Sequence, residues 1–159
     1  MHDTLAWGET MRPNNVDTAA RLEVYRFFVD HGRPPVPAEL AESLETDQGS
    51  VEDSLRRLAE GHVLVLAPGT PYIWMANPFS ALPTPFVVEV GERTWFGNCI
   101  WDALGIVALL GGTGTANTWC PDCRERMVVS VQDHRLSSRD GVVHFAVPAA
   151  HWWDDIGFN

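Results

Sequence analysis

The sequence contains no lysine: its eleven cationic residues are all arginine, set against twenty-one acidic ones, for a formal net charge of −10. The exclusive use of arginine reads as coding preference rather than chemistry. The shortage of positive charge excludes more. Nucleic-acid affinity rests on neutralising phosphates with basic side chains. Residues 1–80 carry twelve acids against six arginines, a net −6, and residues 81–159 carry nine against five. Neither half offers a basic face by count, so nucleic acid is not expected as a partner. Cysteine is scarce as well. Three residues, an odd number, do not suggest a disulfide framework, and a reducing, cytoplasmic setting is the default. Long apolar runs are missing: Ile100 to Leu110 is too short for a membrane span and contains Asp102. No basic-then-apolar leader opens the chain, so no membrane association is expected.

What is present divides into two parts. Met1 to Asn15 reads as a loose arm. Asp17 is placed to cap a helix over about 18–31, with Leu22, Tyr25, Phe28 and Val29 along its inner stripe. Gly32 and Pro34-Pro35 end it, and Pro37 opens a short helix through Leu44. A third helix is expected over about 49–60, with Val51, Leu55 and Leu58 inward. Two strand-like runs, 62–66 and 72–76, flank the turn Ala67-Pro68-Gly69-Thr70-Pro71. Three helices and a hairpin make a winged-helix-like domain, 1–80. Its third helix offsets Arg56-Arg57 with Glu52, Asp53 and Glu60, which favours intramolecular packing over DNA binding. The proline-rich stretch 77–85 is the expected boundary. Beyond it, strands are expected at 86–90, 116–119, 126–132 and 142–147, a turn at 137–141, and a helical last segment, 149–158, carrying Trp152 and Trp153. The fold class is therefore α+β, with mostly antiparallel sheet in residues 81–159.

The chain is organised around the stretch 94–110, almost wholly apolar, free of proline and stopped by Gly111-Gly112. It reads as a buried helix of about four turns. Two reactive side chains interrupt it, Cys99 and Asp102. Three residues apart, they share a helix face. A thiolate is a nucleophile and a soft metal ligand, and a carboxyl in apolar surroundings holds its proton and can act as an acid. The plainer alternative is a buried cysteine behaving as a small hydrophobe beside a capping carboxylate. A second thiol feature is Cys120-Pro121-Asp122-Cys123. Such a turn can be half of a zinc site or a redox pair. No second pair completes a zinc site, and the next element is a strand, not a helix. It is read as a thiol-bearing turn packed near the Cys99 helix. The six histidines are dispersed and none has metal-ligand spacing with another. The tryptophans read mainly as core.

Several of these features occur together in a known family. Asn98-Cys99-Ile100-Trp101-Asp102-Ala103-Leu104 on an apolar helix, the Cys120 turn, the run Val143-His144-Phe145-Ala146-Val147-Pro148 and the Pro148–Phe158 segment resemble the alkylmercury (organomercurial) lyase family, over about residues 19–158. The resemblance implies catalytic roles for Cys99 and Asp102, and cleavage of a carbon–mercury bond by protonolysis. The implied substrate is an organomercurial, the products are a hydrocarbon and Hg(II), and the implied setting is mercury resistance. No organic cofactor is required, and thiol compounds are expected to carry the product away. The family's second catalytic cysteine comes after the segment corresponding to 152–158. Here Asn159 stands there, so that thiol is expected to be replaced or cut off, leaving the catalytic domain (81–159) incomplete at its C-terminus. Cys120 or Cys123 could stand in for it, which makes Cys99, Asp102, Cys120 and Cys123 the candidate metal-binding set. Zinc on Cys120 and Cys123 is the lesser reading. The alternative functions are a non-catalytic soft-metal or thiol-binding relative and a winged-helix transcriptional regulator.

Overall fold

The computed structural model describes residues 16–137 and 141–157. The expected arm at 1–15 and most of the turn at 137–141 lie outside the described residues. So do Phe158 and Asn159 at the end of the expected last helix. The first helix, α1 (Val16–His31), buries Ala20, Val24 and Phe28, residues four apart along one face. Leu22, expected on that face, is exposed, because it stands out of phase with this stripe; Tyr25 and Val29 are partly buried as expected. Asp17 is not a cap but a first-turn residue, and its carboxylate takes the Arg57 guanidinium at 2.7 Å. α2 (Pro37–Ser43) starts on its proline, and Glu39 reaches back to accept the Val36 N–H at 2.9 Å. α3 (Gln48–Glu60) is capped by Asp47, whose carboxylate accepts the Ser50 N–H, and it buries Val51, Leu55 and Leu58.

The two strand-like runs after α3 form a smaller sheet than their pattern suggests. β1 (Val65–Leu66), β2 (Ile73–Ala76) and β3 (Phe79–Ser80) pair antiparallel in that order. Residues 62–64 do not join it: His62 sits at φ 58, a left-handed turn that ends the α3 connection. β3 falls inside the proline-rich stretch, which was expected to be only a connector. Phe79 is fully buried there, stacked on Phe28 with ring centroids 5.1 Å apart.

The second sheet runs β5–β4–β6–β7–β8, antiparallel throughout: β4 (Val87–Val90), β5 (Arg93–Phe96), β6 (Gly114–Trp119), β7 (Arg126–Gln132) and β8 (Arg135–Leu136). The stretch 94–110 is thus not one helix. Thr94, Trp95 and Phe96 belong to β5, with Trp95 paired opposite Val88 and turned into the core. An apolar run does not by itself distinguish strand from helix, and here Gly97-Asn98 breaks it in two. α4 (Ile100–Leu109) comes next and lies on β4 and β6 through Ala103, Ile106 and Val107, while Trp101 and Leu109 are exposed.

Residues 142–147 are not a strand. They pair with neither edge strand of the larger sheet, β5 or β8, and Val142 is 92% exposed. The last segment forms a six-residue 3-10 helix, Ala149–Asp154, in place of a longer α-helix. It returns to the first half of the chain, where Trp153 stacks on His62 at 4.0 Å. Among the described residues no helix is long and apolar enough to cross a membrane.

One buried cluster runs from Ala20, Val24 and Phe28 through Ala76 and Phe79 to Trp95, Ile106 and Ala116. Two side chains of β5 fasten α1 to the larger sheet. Trp95 Nε1 donates to Phe28 O at 2.8 Å, and Arg93 Nη1 donates to Val29 O at 3.0 Å. Carbonyls in the last turn of a helix lack intrahelical partners, and Arg93 supplies one for Val29 O, while Phe28 O accepts both Trp95 Nε1 and the Gly32 N–H.

Candidate active site

The site is built at the junction of β5 and α4. Gly97 N donates to Phe86 O, Thr84 Oγ1 donates to Gly97 O at 2.6 Å, and Gly97 bridges to Phe79. A Cβ on Gly97 would stand 2.7 Å from Ala103 N and 3.1 Å from Cys99 O. Only glycine lets β5 turn so closely across the start of the helix. Cys99 then occupies the helix N-cap, with extended backbone at φ −146, ψ 179, and its Sγ accepts the Asp102 N–H at 3.5 Å. Serine, threonine, aspartate or asparagine usually performs this task. Here the helix places a sulfur where its first unpaired N–H groups converge, with Asp102 in the same turn.

Burial sets the proton balance of the pair. It pushes the Cys99 thiol above its ordinary value, the Asp102 charge adds to that, and N–H bonds from Asp102 and Trp101 oppose it. Burial also raises the Asp102 carboxyl, against hydrogen bonds from the Asn98 side chain, the Cys99 thiol and the Asn98 backbone. Burial thus raises the proton affinity of both groups, and the 3.5 Å bond from Asp102 N to Cys99 Sγ holds them in one turn.

Three side chains that the sequence reading did not assign to the site surround this pair. Asn98 Nδ2 donates to Asn77 Oδ1 at 2.9 Å, while Asn98 Oδ1 is buried with no partner among the described residues. Tyr25 of α1 donates its hydroxyl to Asn77 O at 2.9 Å. Burial raises the Tyr25 phenol, the Arg21 guanidinium opposes this, and the Asp102 carboxylate adds to the rise, so the phenol stands in the electrostatic field of the site. Nothing in the local pattern marks Tyr25 or Asn77, since both are brought in by tertiary packing. Beside the first turn of α4, exposed Trp101 lines an open apolar cleft of about 510 Å³ with Phe145, Val147, Pro148 and Trp152.

Cys120 and Cys123 lie in the turn joining β6 to β7, the first half-buried and the second exposed. Backbone N–H groups of Cys123 and Asp122, with the Cys123 side chain, hold the Cys120 thiol below its ordinary value. The two turn cysteines are thus brought together, as are Cys99 and Asp102. The four are not gathered into one centre: no three His, Cys, Asp or Glu side chains among the described residues are grouped to hold a metal.

Residues 79–158 match the family model described as alkylmercury lyase. The chain belongs to the alkylmercury lyase family. Among solved structures, this lyase-family chain is similar to the mercury-bound form of MerB2, at 18% identity and a TM-score of 0.59. The similarity covers 77% of this chain and 66% of that one, just under two thirds of its length, and it shows a shared α+β fold. No curated protein matches the chain. Cys99, Asp102, Cys120 and Cys123 all fall within the segment matched to the lyase family, whereas Tyr25 and Asn77 lie before it.

Proposed function

We propose that this chain cleaves the carbon–mercury bond of organomercurials by protonolysis, with Cys99 as the sulfur that takes the metal and Asp102 as the proton carrier. The observation that carries the reading is the capped turn itself: the Cys99 sulfur accepts the Asp102 N–H at 3.5 Å, and burial raises the proton affinity of both side chains.

The chemistry rests on the proton balance. An incoming R–Hg⁺ replaces the proton on Cys99, forming a sulfur–mercury bond. A carboxylate whose proton affinity is raised by burial is well placed to accept the displaced proton. Asp102 then delivers it to carbon as the carbon–mercury bond breaks, releasing R–H and leaving mercury(II) on sulfur. The bonding pair passes to the carbon and on to the new carbon–hydrogen bond, so no oxidant or reductant is needed.

Weakening the carbon–mercury bond calls for a second sulfur donor. We assign that role to a soluble thiol compound, because Cys120 and Cys123 do not join Cys99 and Asp102 in a group of three or more donors. Among the described residues Cys99 is the one thiol grouped with Asp102, so turnover of organomercurials is expected to be slow until thiol is supplied. Arg56 pairs with Glu52 and Asp53, and Arg57 with Asp17, which supports the expectation that α3 does not bind nucleic acid.

The test is benzene release from a phenylmercury salt, with bound mercury measured alongside. Cys99→Ser is expected to abolish benzene release and to lower bound mercury by the one equivalent held at this site. Asp102→Asn is expected to keep mercury binding while slowing release by about 10²- to 10⁴-fold, the range for loss of a positioned proton donor. Release that survives Cys99→Ser, or is unchanged in Asp102→Asn, overturns the assignment.

A further inference from the structure

We propose that the Cys120–Cys123 turn is a second soft-cation site, taking one thiophilic, two-coordinate ion between its sulfurs independently of Cys99 and Asp102. The β6–β7 ladder ends at the pair Trp119 and Arg126, and the turn closes it. Cys120 N donates to Glu125 O at 2.8 Å, Arg124 N donates to Cys120 O at 2.9 Å, and Arg124 takes the left-handed φ of 62 that lets the chain reverse. The bond from Arg124 N to Cys120 O closes one tight turn over residues 120–124, which holds Cys120 and Cys123, three positions apart, on the same short loop. The same backbone N–H groups that hold the Cys120 thiol below its ordinary value favour its thiolate, the form that binds a metal.

The number of donors selects the ion. A closed zinc site wants four ligands in a tetrahedron. No third His, Cys, Asp or Glu side chain joins these two among the described residues. Two sulfurs suffice for soft ions that accept linear coordination, such as mercury(II), copper(I) or silver(I), and sulfur is the donor such ions prefer. Loading needs no redox step: each thiol gives its proton to water as its sulfur–metal bond forms. Cys123 is exposed, so it can turn outward to admit the ion without disturbing the core. The same exposure leaves the bound ion open to exchange with thiols in solution. None of this depends on Cys99 performing the lyase reaction.

The test uses the full chain carrying Cys99→Ser, which removes the other thiol site. The probe is mercuric chloride in about a tenfold excess of a monothiol over protein, a competition that only a chelating pair withstands. Mercury per chain is measured after gel filtration and by native mass spectrometry, with near-ultraviolet absorption reporting sulfur–mercury bonds. Cys99→Ser is expected to retain one mercury. Adding Cys120→Ser or Cys123→Ser should weaken retention by about a hundredfold, the scale of the lost chelate advantage. Circular dichroism checks folding, and Cys123→Ala gives a second exposed-site variant should either serine fail to fold. Zinc chloride in parallel is expected to be lost on the column. Failure of Cys99→Ser to retain mercury, retention that survives loss of either turn thiol, or zinc held as well as mercury overturns the proposal. Mercury retained by a Cys99→Ser chain that releases no benzene supports two separate sites. If wild-type chain releases no benzene but Cys99→Ser still retains mercury, the lyase reading fails and this one stands.

Discussion

Gly97→Ala puts one methyl group into the tightest backbone approach around the site. The new Cβ would lie 2.7 Å from Ala103 N and 3.0 Å from Ala103 Cα, and both are main-chain atoms of α4. An ordinary contact begins near 3.4 Å, so strand and helix must separate by about 0.7 Å. Because Gly97 does not have a left-handed φ, the cost is steric rather than conformational. Overpacking of this kind costs about 1–3 kcal/mol. Alanine also restricts the unfolded chain, which returns about 0.4–1 kcal/mol. The expected net loss is about 1–2 kcal/mol, read from urea denaturation or as a fall of roughly 2–4 °C in Tm per kcal/mol for a chain of this size. The displaced atoms belong to the turn that holds Cys99 and Asp102, so benzene release should fall by more than stability alone explains. Misplacing a reacting group by about 1 Å can cost on the order of 10²-fold. Gly105→Ala is the control on the same helix. Its Cβ would meet only Pro78, with Cβ at 3.6 Å, an ordinary contact, and the better helix former should add up to about 1 kcal/mol. A Gly97→Ala chain as stable as wild type, or one with unchanged release, would refute the claim that this close approach seats the helix.

Asp102→Asn should stabilise the fold near neutral pH, because the folded-state carboxyl has its affinity for protons raised by burial. The direction of that shift sets the sign: the penalty is absent below the unfolded value of 3.8 and grows as pH rises through the folded value, so the gap between variant and wild type should close on acidification. Thermal unfolding as a function of pH measures it, and a gap that widens in acid contradicts the assignment. Trp95→Phe removes the bond from Nε1 to Phe28 O, which still accepts the Gly32 N–H. The expected cost is about 0.5–1.5 kcal/mol by denaturant titration, and no loss would mean that this link does not fasten α1 to the sheet.

The two reactive residues at the helix start could be read from the sequence because their spacing is local. Cys99 and Asp102 fall three apart in any helical turn, and the glycine pair after Leu110 marks the end of the helix. The start of that helix could not be read the same way. Thr94-Trp95-Phe96 joins the apolar run that continues through Ile100 to Leu110, and it pairs as a strand only through Val88 opposite Trp95. Val51, Leu55 and Leu58 of α3 keep a helical period and are buried as expected. Leu22 shows the limit of periodicity, because two neighbouring stripes on α1 are both plausible until Phe79 is known to stack on Phe28. Residues 142–147 have the composition of a strand but pair with no strand of either sheet, and composition does not encode pairing. Tyr25, Asn77 and the buried Asn98 carbonyl oxygen enter the site through contacts between distant segments, which no local pattern encodes.

The fastening of α1 to β5 has a consequence for any exchange of parts between relatives. The segment matched to the lyase family begins at Phe79, yet the phenol that holds Asn77, the partner of Asn98, comes from Tyr25, and the ring stacked on Phe79 comes from Phe28. Recombining residues 79–158 with a foreign N-terminal half would keep the thiol and the acid but replace the side chains that hold Asn98 and Phe79 beside them. Chimeras of this kind would inherit their reactivity from both parents, and the boundary suggested by the sequence match would be a poor place to cut.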